Sequence, residues 1–148
     1  MKIVLFLLLL FPTALTAQDL KVVDGDTIHI GKTKYRFHGI DAPEMSQLCM
    51  KDNKKIKCGV VAKDKLLEKI GSQKVTCKQK AIDRYKRIVA ECFVNNESLS
   101  GYLVKNGYAF AYRKYSKKFI EDEEYAKKNK LGLWAMNFQY PWDYRKKK

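Results

Sequence analysis

Three short β-rich runs, separated by tight turns and ending in a proline turn that carries two acids, constrain this chain more than any other feature. Asp19-Leu20-Lys21-Val22-Val23 reads as a first strand, Thr27-Ile28-His29-Ile30 as a second, and residues 33 to 40 as a third. Asp24-Gly25-Asp26 and Gly31-Lys32 supply the turns, because glycine beside a short polar residue accepts the angles of a tight hairpin connection. Such a meander folds as a sheet and brings Asp26 and Asp41 to the ends of neighbouring strands. Side chains alternate faces along a strand, so Arg36 and His38 share one face and Tyr35 and Phe37 the other. Asp41-Ala42-Pro43-Glu44 follows directly, with its two carboxylates three residues apart around a proline that stiffens the turn. Arginine is a fixed cationic fork that matches phosphate oxygens, and hard carboxylates suit a hard cation such as calcium. The pattern points to phosphodiester chemistry, although an Asp and a Glu in a turn are, on their own, ordinary turn residues.

Charge is the next constraint. The 148 residues carry 30 lysines and arginines against 16 acids, a net charge of +14. A surplus of this size suits a polyanionic partner, either nucleic acid or an anionic surface. The N-terminus follows a different plan: Lys2, an apolar run from Ile3 to Phe11, Pro12, and small residues as far as Ala17. That is the layout of a secretory signal. A membrane span needs about 20 apolar residues, and this run is shorter, so a cleaved signal peptide over 1–17 is favoured over an uncleaved anchor. No stable membrane insertion then remains. Residues 18–148 are expected outside the cytoplasm, secreted or periplasmic, as a single monomeric domain with a basic tail over 138–148. No repeat or linker marks a second domain.

Export changes how Cys49, Cys58, Cys77 and Cys92 read, because an even number of cysteines in an exported chain suggests disulfides. Cys77 and Cys92 are equidistant from the centre of Asp83-Arg84-Tyr85-Lys86. A hairpin turning there would set them opposite each other, and Cys49 and Cys58 would close a small loop after the acid turn. The alternative is a metal site, but there is no Cys-x-x-Cys pair, and His29 and His38 lie far from the cysteines in sequence.

Residues 45–57 read as a lysine-rich loop, and Gly59 to Ile70 as a helix with Ala62, Leu66, Leu67 and Ile70 on one stripe. Lys74–Lys80 and Arg87–Val94 form a hairpin whose turn carries Arg84, Tyr85, Lys86 and Arg87. A ring among cations is a natural nucleotide contact, since it stacks on a base while the cations hold phosphate. Asn95-Asn96 reads as the start of a second helix ending at Gly107. Asn96-Glu97-Ser98 also matches a glycosylation sequon, but its role as a helix cap is the favoured one. Tyr108 to Tyr112 is a core segment, and Tyr112 and Tyr115 read equally as core or site residues. Ser116 caps a last helix, whose Glu121 to Glu124 lead and trailing lysines complement the helix dipole, with Glu123–Lys127 and Glu124–Lys128 at pairing distance. Leu131-Gly132-Leu133-Trp134 closes it, and the tail, with Pro141-Trp142 and Arg145 to Lys148, reads as frayed.

Four segments together resemble the staphylococcal nuclease (thermonuclease) family over nearly all of the mature length. They are Val22-Val23-Asp24-Gly25-Asp26-Thr27, Arg36 with Ile40-Asp41-Ala42-Pro43-Glu44, Asp83-Arg84-Tyr85-Lys86-Arg87, and Leu131-Gly132-Leu133-Trp134. Gly132-Leu133-Trp134 with Pro141-Trp142 is similar to the exported bacterial branch. The resemblance implies an α+β fold, a five-stranded OB-fold β-barrel with three α-helices. It also implies a calcium-dependent endonuclease acting on DNA and RNA with low sequence specificity and leaving 3′-phosphate ends. Position by position, it makes Asp26, Asp41 and the Ala42 carbonyl the calcium ligands, and Arg36, Glu44 and Arg87 the catalytic residues. Arg84, Tyr85, Tyr112 and Tyr115 become substrate contacts. Ala42 stands where the family usually has threonine, Arg84 where lysine is common, and Lys86 where glycine is familiar; the cysteines depart from a cysteine-free prototype. The alternative is an OB-fold module that binds nucleic acid without cutting it. Family members of that kind typically lose the acids or the arginines, and all five are present here. A basic protein for anionic surfaces explains the charge but not the acid–arginine set.

Overall fold

The computed structural model describes residues 17–147; the signal peptide expected over 1–17 lies, apart from Ala17, outside the described residues. The expected meander forms as β1 (Leu20–Asp24), β2 (Thr27–Ile30) and β3 (Thr33–Phe37), antiparallel in turn. Alternation places its side chains as expected: Phe37 is buried in the core with Tyr35 packed against it, while Arg36 and His38 face a cleft on the other side. Gly39 then adopts a left-handed φ of 76°, a turn that a side chain would strain, and leads into β4 (Ile40–Asp41).

The chain continues through β5 (Leu48–Lys51), β6 (Lys54–Lys57) and α1 (Cys58–Ile70) to β7 (Thr76–Ile82) and β8 (Ile88–Val94). β8 lies parallel to β3, with Arg36 opposite Val89. Parallel neighbours need a long crossover, and this one carries the acid turn, the β5–β6 hairpin and α1. The main sheet runs β1-β2-β3-β8-β7, with a short β9 (Glu97–Ser98) on β8. The five-strand path and the helices around it make an α+β, OB-like fold. α2 (Leu99–Lys105), β10 (Phe110–Ala111), α3 (Ile120–Lys128), a 3-10 turn (Gly132–Ala135) and α4 (Pro141–Lys146) complete it. Among the described residues, no helix is long and apolar enough to cross a membrane.

Leu66 and Ile70 of α1 pack with Val22, Ile28 and Phe37 from the sheet and Leu99 and Leu103 from α2, and Ala62 on the same stripe is buried. Leu67 is 44% exposed, because ~100° of rotation per residue carries it past the buried arc. Phe110, Leu133, Cys49 and Cys58 form a second cluster beneath Trp134, Phe138, Tyr140 and Trp142. Both disulfides form as expected, Cys49–Cys58 and Cys77–Cys92; Cys77 sits directly opposite Cys92 in the β7–β8 register.

Four local readings are corrected. Residues 45–57 hold a hairpin, because Asp52 and Asn53 take left-handed φ values of 49° and 60°, the pattern of a tight hairpin turn. Asn95 and Asn96, at φ 48° and 63°, turn β8 into β9 in the same way and start no helix. Ser98 caps α2 instead, its hydroxyl accepting from the Gly101 N–H at 3.2 Å. α3 starts at Ile120, four residues beyond Ser116, and its Glu123 turns inward to accept from the Ala111 N–H at 2.9 Å and to pair with Arg113. Finally, the tail is not frayed: it forms α4, a fourth helix beyond the three expected, started by Pro141 in the first turn, where a missing N–H costs nothing.

Candidate active site

A cleft of about 890 Å³ opens where the β1–β2 turn, β3, the acid turn and the β7–β8 turn meet. All ten residues singled out from the sequence line it. Asp26 and Asp41 are buried, at 5% and 1% exposure. Arg36 lies between them: it pairs with the Asp26 carboxylate and donates to Asp41 Oδ1 at 2.9 Å and the Ile40 carbonyl at 3.3 Å. The Ala42 N–H donates to Asp26 Oδ2 at 2.6 Å, which ties the two turns together. Burial pushes the Asp26 carboxyl up to about 6 against the pull of Arg36, with Asp24 adding to the rise. Burial also raises Asp41, opposed chiefly by a hydrogen bond from Arg145. In both, the rise comes first from burial, which disfavours the charged form.

The acid turn is fixed from behind. The Glu44 carbonyl accepts from the Gln47 N–H at 2.8 Å, and the Glu44 N–H donates to Gln47 Oε1 at 3.2 Å. Gln47, itself buried, donates from Nε2 to the Gln139 carbonyl at 2.6 Å. Gly59, at the start of α1, lies so close that an added Cβ would be 2.0 Å from the Glu44 carbonyl oxygen.

On the opposite wall, Asp83 organises the cationic turn. Its Oδ1 accepts from the N–H groups of Tyr85 and Arg87, each at 2.9 Å, and its Oδ2 from Arg87 Nε at 2.7 Å. Burial alone would raise the Asp83 carboxyl, but the bonds from Arg87 outweigh it and lower its pKa. Arg84 and Arg87 both lie over the Tyr85 ring, which is 63% exposed. Lys86 adopts a φ of 61°, where a non-glycine residue is strained by about 1 kcal/mol or more. We therefore expect Lys86→Gly to stabilise the chain by about 0.5–1 kcal/mol, read as a rise in the denaturation midpoint with an unchanged denaturant slope. A lower midpoint would mean that the lysine side chain contributes more than its backbone costs.

Tyr115 is 60% exposed at the rim. Tyr112, read as either core or site, lines the cleft with one face stacked on Trp142 at 5.5 Å and 8°. Trp142 is stacked in turn on Tyr140 at 4.6 Å.

One residue escaped the sequence reading. Arg145, in the last turn of α4, donates to Asp41 Oδ1 at 3.1 Å and Oδ2 at 2.7 Å, and to Glu44 Oε1 at 2.9 Å. The available signal was a helix pattern in the tail: proline at the start, Asp143 in the first turn, Arg145 and Lys146 in the last.

The oxygen donors of Asp26, Asp41 and Ala42, with Glu44 beside them, are the hard ligand type that calcium takes. Two buried carboxylates with Glu44 half-buried beside them are a donor set that fits a cation. Among the described residues, no three His, Cys, Asp or Glu side chains stand as a ready metal cluster, consistent with Asp26 and Asp41 being turned onto Arg36 and Arg145.

An OB-like sheet thus carries acids and arginines at the floor of a cleft, with exposed tyrosines at its cationic rim. The chain belongs to the staphylococcal nuclease family: the model described as "Staphylococcal nuclease homologue" matches residues 34–136. It is similar to a Haemophilus influenzae protein described as an uncharacterized endonuclease, at 32% identity over 92% of this chain and 80% of the relative. It is also similar to the micrococcal nuclease of Shigella flexneri, at 29% identity over 85% of this chain and 78% of the relative. A probable staphylococcal-like nuclease of Oryza sativa subsp. japonica is 32% identical over 82% of this chain, which spans only 30% of that longer protein.

Proposed function

We propose that this chain is an exported, calcium-dependent nuclease that hydrolyses DNA and RNA with little sequence preference. The observation that carries the reading is that Asp26, Asp41, Glu44, Arg36 and Arg87 line one cleft with Arg84, Tyr85, Tyr112 and Tyr115. The family's nuclease-named relatives support it.

Asp26, Asp41 and the Ala42 carbonyl would hold calcium, which supplies neutralisation of a phosphoryl oxygen. Glu44 orients the attacking water and accepts its proton. As the water oxygen bonds to phosphorus, the bond to the 5′ oxygen breaks, leaving a 3′-phosphate end. Arg36 and Arg87 bear the charge that grows on the remaining oxygens and the leaving group. Tyr85 and Tyr115 stack on bases, a contact that tolerates any sequence, while Arg84 and the strongly basic surface of the mature chain, +13 once Lys2 leaves with the leader, draw in the backbone. The two disulfides suit an oxidising compartment, and residues 18–148 act as one monomeric domain behind a cleaved leader.

The test is cleavage of single- and double-stranded DNA by the exported protein, with calcium and then with a chelator. The expected result is degradation that disappears on chelation and declines as salt rises. Tight DNA binding without cleavage by folded, disulfide-intact protein would mean the scaffold serves as a binding module.

A further inference from the structure

We propose that Arg145 is a tethered competitor for a divalent ion: its guanidinium is bonded to Asp41 and Glu44 and must withdraw before those carboxylates turn to a metal. Arg145 thereby sets the calcium concentration at which the site fills. The inference rests on the calcium reading above and deepens it.

Three observations carry it. First, the guanidinium takes up the donor atoms themselves. It straddles both oxygens of Asp41, at 3.1 and 2.7 Å, and reaches Glu44 at 2.9 Å. Arg36 already shares Asp41 Oδ1 at 2.9 Å, so neither oxygen of Asp41 is without a cationic partner. A calcium ion binds its oxygens at about 2.3–2.6 Å, and a guanidinium bridging Asp41 and Glu44 takes three of their lone pairs and stands in the space between them. The two cations would also repel each other in a poorly solvated place.

Second, the two arginines are not equivalent. The Arg36 side chain is 16% exposed within β3 and also bonds backbone carbonyls, whereas that of Arg145 is 39% exposed at the end of α4. Arg145 is therefore the one that can leave.

Third, α4 has anchors of its own. Trp142 is stacked between Tyr112 and Tyr140, the Ser46 and Tyr144 hydroxyls share a bond at 3.2 Å, and Gln47 holds the carbonyl of Gln139 just ahead of the helix. Withdrawing one side chain leaves the helix seated. The arrangement works as an exchange: a fixed positive charge stabilises the buried acids until a mobile one replaces it.

The experiment compares the exported protein with Arg145→Gln and Arg145→Lys, titrating calcium by calorimetry and following thermal unfolding in chelator and in saturating calcium. Circular dichroism first shows that each variant is folded. Arg145→Gln is expected to bind calcium about tenfold more tightly, since charge-assisted bonds no longer have to be broken, with Arg145→Lys in between. In chelator the glutamine variant should melt below the parent, and in saturating calcium the gap should close. Unchanged or weaker calcium binding in Arg145→Gln, alongside measurable binding by the parent, would overturn the proposal and leave the calcium reading standing. Equal melting of parent and variant in chelator would also overturn it, because the clamp would then contribute nothing. Absence of calcium binding by every chain would defeat the calcium reading itself, and this inference with it.

Discussion

Glu44→Gln should lower cleavage by about a hundredfold to ten-thousandfold, the range that a positioned acid–base group contributes, while the protein keeps its melting temperature in chelator within a few degrees. Glutamine preserves the shape of the side chain and its reach into the cleft, but it cannot accept the proton of the attacking water. The turn around it is held through the backbone and Gln47; the Glu44 carboxylate adds one half-exposed bond from Arg145, which the glutamine side-chain oxygen can still accept, so the fold has little reason to respond. The check is single-turnover cleavage of a labelled oligonucleotide at saturating enzyme, which separates chemistry from binding. Turnover within a few-fold of the parent would remove Glu44 from the mechanism and leave the arginines to act without it.

Gly59→Ala should damage both stability and activity, although the residue touches no substrate. The added methyl carbon would lie 2.0 Å from the Glu44 carbonyl oxygen and 2.8 Å from the Met45 Cα. Both are backbone atoms and cannot rotate away, so either α1 or the acid turn must move. Overpacking of this kind costs roughly 1–3 kcal/mol or more, and a displacement of about 1 Å at reacting groups costs on the order of a hundredfold in rate. Denaturant unfolding and single-turnover cleavage together report how the strain divides. Parent-like values in both would mean that the helix and turn slide past each other freely.

The parts of this molecule that were legible in its sequence depend on local chemistry. Asp24-Gly25-Asp26 and Gly31-Lys32 specify turns, period-two alternation puts Arg36 and Phe37 on opposite faces, and the spacing of Cys77 and Cys92 matches the hairpin between them. What escaped depends on distant partners or on one residue type serving two purposes. Asparagine both caps helices and tolerates left-handed backbone, and at Asn95-Asn96 only the neighbouring strand decides between them. Lysine-rich Lys54 to Lys57 looks like a solvated loop, yet it is an edge strand, where lysines are common. Arg145 lies 104 residues from Asp41, and a basic C-terminus carries no local sign that one of its charges turns inward. Gln47 was equally hidden, because a buried amide is recognised by its partners and not by its sequence context.

The parallel pairing of β3 with β8 also has a kinetic consequence. Arg36 and Val89 face each other across a crossover of some fifty residues, and contacts so far apart in sequence form only after a costly loop has closed. Arg36 is made early, Arg87 some fifty residues later, and Arg145 later still. The cleft's two walls therefore cannot meet in a nascent chain that stops short of β8, and its acid cluster lacks its second arginine until α4 has been made. A chain that stops before α4 carries the acids with Arg36 alone, so the cleft is completed in the order in which its strands and helices are made.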